Sequence, residues 1–189
     1  MTQDATATIM MYFVVPLWLM AGLSDWLCHR ATNIQRTSGS RESIFHLVMF
    51  AEMGAPLLAA LFLDINALII AFMIVMFLLH EATAFWDVSY AVRLRDVTPF
   101  EQHVHSFLEI IPLLALSLIV ARHWPQFVAL FGEGSEAPRF AVAWKSDGPS
   151  ILYILTVLAG ASLLGTLYVE ELARGLRAEG HAPWFSRAA

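Results

Sequence analysis

The chain has one cysteine, little charge and no surplus of positive charge, and each shortage removes a class of protein. Cys28 alone in 189 residues excludes an intrachain disulfide and any cysteine-based zinc cluster, while leaving the redox compartment open. Charged residues make up 14% of the sequence against 58% hydrophobic residues, and mean hydropathy is +0.64, which is too little polar surface to cover a soluble domain. A net charge of −5 argues against nucleic acid as a partner. There is also no basic stretch ahead of the first apolar run, since Met1 to Ala7 carry only Asp4, so that run reads as a retained helix rather than a cleaved signal peptide. No internal repeat is evident.

What remains is a multi-pass membrane protein. Runs able to cross about 30 Å of hydrocarbon at about 1.5 Å per residue fall near 9–27, 44–63, 65–88, 104–120 and 150–169. The expected fold is an all-α, polytopic bundle of five transmembrane helices in a single membrane domain, 1–189. The second and third runs meet at Leu63-Asp64-Ile65-Asn66, so short that they should form an antiparallel hairpin. Residues 121–149 hold Trp124-Pro125, Gly132-Glu133-Gly134-Ser135 and Gly148-Pro149, the composition of an irregular loop with room for a short interfacial helix. Short loops rich in Lys and Arg stay in the cytoplasm. Arg30, Arg36 and Arg41 fill the first loop, Arg93 and Arg95 follow the third span, and Arg174, Arg177 and Arg187 follow the fifth. This places the N-terminus outside, the 121–149 loop outside and the C-terminus in the cytoplasm of a bacterial inner membrane. Trp26, Trp86 and Trp184 then sit near the inner interface and Trp124 and Trp144 near the outer one.

Ionisable residues in lipid are costly unless they pair or bind metal, and here they recur in a pattern. Four of the seven histidines have a carboxylate one or two helical turns away, all toward the cytoplasmic end: Asp25 with His29, Glu42 with His46, His80 with Asp87, and His105 with Glu101 and Glu109. Residues four or seven apart share a helix face. Depth along the helices gives an inner layer of Asp25, His29, His46, Asp87 and His105 and a deeper layer of Glu52, His80 and Glu109. The expected ligands are Asp25, His29, Glu42, His46, Glu52, His80, Asp87, His105 and Glu109, with Glu42 and Glu52 competing for one role. Glu81, about 100° around the helix from His80, is the candidate proton carrier or catalytic residue. Tyr90 and Ser89 could border the site. His103 faces away, and His123 and His181 lie outside the spans. The fifth span offers no ligand in its apolar part, and its small residues Ala159, Gly160, Ala161 and Gly165 suit close packing, either over the bundle or in a homodimer.

About eight imidazole and carboxylate donors exceed what one ion needs and suit two divalent cations, iron or zinc. A four-helix metal-binding core of this kind follows the logic of ferritin-like di-iron proteins without their paired Glu-x-x-His motifs. Two iron ions would activate dioxygen and make an oxidoreductase, needing an electron donor; two zinc ions would generate hydroxide and make a hydrolase. The carboxylate-rich donor set leans toward iron, and the depth of the site toward a lipid-like substrate entering from the bilayer. A proton or metal transporter or sensor is the third class, disfavoured by the absence of ionisable groups in the outer halves of the spans. The bland alternative treats each histidine as packing, with Asp25 and Glu42 paired to Arg30 and Arg41.

Known membrane-enzyme signatures are missing. There are no HxxHH clusters, HExxH fails because Ala84 stands where His80-Glu81 would require histidine, and there is no Gly-x-Ser-x-Gly elbow. Glu170-Glu171-Leu172-Ala173-Arg174 approaches the glutamate motif of CAAX-type membrane proteases with its arginine one place early, and a solvated helix end is the expected reading. The stretches SDWLCHR, HEATAFWDVSYA and EQHVHSFLE, over roughly the first four spans, resemble a family of small proteobacterial multi-pass membrane proteins sometimes labelled diguanylate cyclases. The chain lacks a GGDEF-like loop and any soluble catalytic domain, so the resemblance implies a source and no activity.

Overall fold

Asparagine, threonine and serine caps, placed just ahead of apolar runs, set where the helices start. Asn66 accepts from the amides of Leu68 and Ile69, Ser150 from that of Tyr153, and Thr98 forms a reciprocal capping box with Glu101. The structure, a computed structural model, describes residues 4–180, and among them there is no strand, only an isolated bridge between Leu63 and Trp144. Five helices are long and apolar enough to cross a membrane: α1 (Ala5–Thr32), α2 (Gly39–Phe62), α3 (Ala67–Ala91), α4 (Pro99–Arg122) and, after the short α5 (Trp124–Ala129), α6 (Ile151–Ala178). Trp184, Arg187 and His181 lie outside the described residues.

Every one of these helices outruns its apolar stretch, chiefly at one end of the bundle. There α1 closes on a left-handed Asn33 (φ 55°) and a 3-10 turn, Ile34–Arg36, before α2 begins. Because the chain reverses at each connection, α1, α3 and α6 end where α2 and α4 start, and all five helices deliver their most polar turns to that end.

The expected α2–α3 hairpin forms, and α2 packs as extensively on α6 as on α3. The close contact between α6 and its neighbours depends on absent side chains. A Cβ on Gly22 of α1 would come 2.7 Å from Leu164 of α6, and one on Gly175 of α6 would come 3.0 Å from the backbone nitrogen of Ser40. The fifth span is therefore an integral wall of the bundle.

At the opposite end Ala59, Ile65, Ile69, Ile70, Met73 and Ile119 make an apolar core. The 121–149 connection is strapped onto it by main-chain bonds from Asp64 to Ala143 (2.9 Å) and from Lys145 to Phe62 (2.8 Å). Gln126 of α5 accepts from the amides of Ala67 and Arg139 at 3.3 and 2.9 Å. The outward surface is apolar, with Phe13, Leu78, Phe85, Leu152 and Leu163 exposed, while the buried groups at the first end are ionisable. That inversion is what a hydrocarbon solvent demands.

Candidate metal centre

The polar turns meet in one buried cluster. Asp25 and His29 come from α1, Glu42 and His46 from α2, Asp87 from α3, Glu101 and His105 from α4, and Glu171 from α6, none more than 7% exposed. Arg95, from the loop after α3, reaches in with its guanidinium 3% exposed and bridges the carboxylates of Glu42 and Glu101. Its Nε donates to both oxygens of Glu42, at 3.2 and 3.1 Å. Burial disfavours the charged guanidinium, and the hydrogen bonds to Glu42 and Glu101 more than offset this, holding its pKa above the ordinary arginine value.

Glu171 organises the histidines. One carboxylate oxygen lies 3.1 Å from His29 Nδ1 and the other 2.7 Å from His46 Nδ1. An ionised carboxylate only accepts, so both imidazoles carry a proton on Nδ1, and in the neutral form each turns a bare Nε2 away from Glu171. The rings stack with centroids 4.2 Å apart and planes 8° apart. His29 Nε2 lies 3.4 Å from Asp25 Oδ1 and 3.5 Å from Glu101 Oε1. His46 Nε2 lies 3.5 Å from Asp87 Oδ2 and 4.0 Å from Glu42 Oε1. His105 Nε2 approaches Asp25 Oδ1 at 2.9 Å. Among the described residues neither the His29 nor the His46 Nε2 atom finds a hydrogen-bond partner, and Asp87 Oδ1 and His105 Nδ1 likewise go without one. A carboxylate holding the far nitrogen of an imidazole is the usual support of a metal-bound histidine. The separations of 3.4 and 3.5 Å are close to those two donors adopt when each sits about 2.0–2.1 Å from a shared tetrahedral ion, and Glu42, at 4.0 Å from His46, stands somewhat wider. Donor atoms within 4.8 Å of one another form four overlapping groups: Asp25-His29-His105, His29-His46-Glu171, His29-Glu42-Glu101 and Glu42-His46-Asp87. The cluster can hold metal ions.

Charge supports the same conclusion. Asp25, Glu42, Asp87, Glu101 and Glu171 are at most 3% exposed, and Arg95 is the one permanent cation among them. With neutral imidazoles four negative charges remain, a cost that a desolvated site meets by binding cations or by taking up protons.

Of the nine expected ligands, Asp25, His29, Glu42, His46, Asp87 and His105 come together. His80 and Glu109 instead line a cavity of about 50 Å³ beside the cluster, whose wall also includes Asp25, His46, Asp87 and His105. A water needs roughly 10–15 Å³ of such space, so there is room for a few waters or a small reactant. His80 is buried, and among the described residues neither of its ring nitrogens finds a hydrogen-bond partner. Glu52 stands off from both, accepting from Thr83 Oγ1 at 2.9 Å with its other oxygen 4.0 Å from His80. In the competition between Glu42 and Glu52, the cluster takes Glu42. Glu81 is half-buried and lies in neither the cluster nor the cavity wall.

Three residues were not expected in the site from the sequence. Glu171, expected at a solvated helix end, is 1% exposed because α6 stays helical to Ala178 and carries it back inside. The signal was the adjacent pair itself: Glu170 faces out to Arg30 at 3.0 Å, and the next residue, about 100° around, must face in. Arg95, counted as a loop charge, is the internal counter-ion, and Glu101, treated only as a neighbour of His105, is fully buried beside His29. The expected surface pairs change accordingly. Arg30 binds Glu170 rather than Asp25, and Glu42 binds Arg95 rather than Arg41. His103 is exposed, as expected, against Phe107. Tyr90 donates to the Ser38 carbonyl at 3.1 Å.

Fold and cluster together define a helical membrane-type protein with a buried histidine–carboxylate centre. Comparison with protein families, curated proteins and solved structures finds no match, so the centre speaks through its own geometry.

Proposed function

We propose that this protein is a membrane-embedded two-metal enzyme, in which His29 with Asp25 and His105, and His46 with Asp87 and Glu42, each bind one divalent cation. The observation that carries the reading is the Glu171 carboxylate, which fixes two stacked imidazoles in one tautomer and turns their free Nε2 atoms toward separate pairs of acids. Two divalent cations would also balance the four uncompensated negative charges. Arg95, lying between Glu42 and Glu101, holds Glu42 in place beside His46 and neutralises part of the charge.

The favoured metal is iron and the favoured chemistry oxidation. Carboxylates outnumber imidazoles in the cluster, and hard oxygen donors favour iron over softer choices. Bound iron would supply redox chemistry. The chain's own contribution is a dry pocket, a proton on each Nδ1 held by Glu171, and His80 and Glu109 in the wall of the adjoining cavity, where a proton could be taken up or returned. In this reading the cluster faces the cytoplasmic half of a bacterial inner membrane, and an electron donor meets it from that side. The arginines clustered at that end support the orientation.

The test is the metal content of protein purified without chelator. Close to two iron atoms per chain supports the oxidoreductase, two zinc atoms transfer the same geometry to metal-activated water and hydrolysis, and uptake of metal into proteoliposomes would make it a transporter.

A further inference from the structure

The bundle holds a second and much larger space, of about 730 Å³, at the end away from the metal cluster. Its walls are apolar, including Met10, Val14, Met53, Leu57, Phe77 and Ile111. The recess is partly open, and its apolar walls give water few partners, so an apolar occupant is favoured over water. The volume falls in the range of small-molecule ligand sites.

The mouth is charged unevenly. Arg122, His123, Lys145, Asp64 and Asp147 border it. Arg122 is paired with Asp4 and Asp64 with Arg139. Asp147 takes a bond from Ser146 at 3.5 Å. Lys145 has no carboxylate of a described residue within ion-pair distance. Its ammonium donates to the Ala60 carbonyl, at 2.6 Å, and is held half-buried at the rim. Burial and then the nearby Arg122 depress the pKa of both Lys145 and His123, and Asp64 offsets this only in part.

The floor is Trp18, which stacks on Phe50 with ring centroids 5.9 Å apart and lines both this cavity and the small one beside the metal cluster. Along α1, Met11 to Trp18 and Trp18 to Asp25 are each about 10 Å at 1.5 Å per residue. A chain entering at the rim therefore points at the cluster.

We propose that this cavity binds a single-chain amphiphile with an anionic head, the head on Lys145 and the hydrocarbon tail running down to Trp18. The space suits one chain rather than two. The same chemistry is offered by a free fatty acid and by a lysophospholipid. The site needs no metal, so it stands apart from the two-metal reading; if both hold, the tail end is the part of the ligand presented to the cluster.

The test uses the full chain in a neutral detergent and palmitate brominated at the chain end, read as quenching of tryptophan fluorescence. The Trp18 contribution is the difference between wild type and Trp18→Phe. Saturable quenching is expected, with affinity about tenfold weaker in Lys145→Glu and for the uncharged brominated alcohol, as loss of one charged contact implies. Ala115→Phe, which fills the cavity, should abolish it, and stripping metal with a chelator should leave it unchanged. A lysophospholipid bearing the same brominated chain, run in parallel, shows which source the site prefers. Quenching that rises linearly with probe and is equal in wild type, Lys145→Glu and Ala115→Phe would overturn the proposal.

Discussion

Glu171 and Glu170 are neighbours in the chain with opposite fates, and the contrast is testable. Glu170 pairs with Arg30 where both are about half exposed, and such pairs contribute little. Glu171 supports two histidines at once. Glu171→Gln is expected to weaken metal binding by about 10–100-fold, the usual effect of losing such a support, while Glu170→Gln leaves it unchanged; metal titration of the two variants side by side is the check. Arg95 makes a second prediction. Arg95→Met leaves Glu42 and Glu101 buried without their cation, a change that costs about 3–5 kcal/mol. Chemical denaturation of metal-free protein should show that loss, and added divalent cation should restore much of it because it replaces the missing positive charge. The histidines and acids at four- and seven-residue spacing were readable because a helix repeats every 3.6 residues. Arg95 was not, because nothing in a loop arginine's local sequence says whether its long side chain turns outward or inward.

At the scale of the helix, the apolar stretch and the helix are different objects. Hydropathy located the five spans within a few residues, but it ends a span where the first charges appear, and here the charged turns remain helical. Ile151–Ala178 runs nine residues past the expected 169, and that extension holds Glu171. The site was thus legible for α1 to α4, whose polar groups lie near the apolar runs, and illegible for α6. Packing makes the dependence concrete. In Gly22→Val the added side chain meets Leu164, so α6 must shift; the expected result is a loss of about 1–3 kcal/mol from overpacking together with weaker metal binding, since Glu171 moves with the helix. Asn66→Ala removes a cap at the far end of the bundle and should cost about 1 kcal/mol with metal binding intact. Measuring melting temperature and metal stoichiometry on both variants separates disturbance of the cluster from general loss of stability.

For the molecule as a whole, the polarity gradient along the bundle organises everything else: an ionisable cluster at one end, an apolar cavity at the other and Trp18 between them. The proposed orientation, from the arginine count, has the cluster end facing the cytoplasm. Cys28 is buried, so introduced cysteines report on a nearly silent background; in intact cells, Ser135→Cys should react with an impermeant maleimide and Arg36→Cys only after the membrane is opened. Reversal of that pattern would invert the topology without touching the cluster. The claim on which the account turns is that the cluster is a metal centre rather than a hydrogen-bonded core. Elemental mass spectrometry on protein purified in mild detergent without chelator, alongside folded Glu171→Gln, decides it. The account expects two divalent ions per wild-type chain, iron foremost, and a clear loss in the variant. Wild-type protein that is folded and carries no metal above background, even after incubation with iron or zinc, would contradict it.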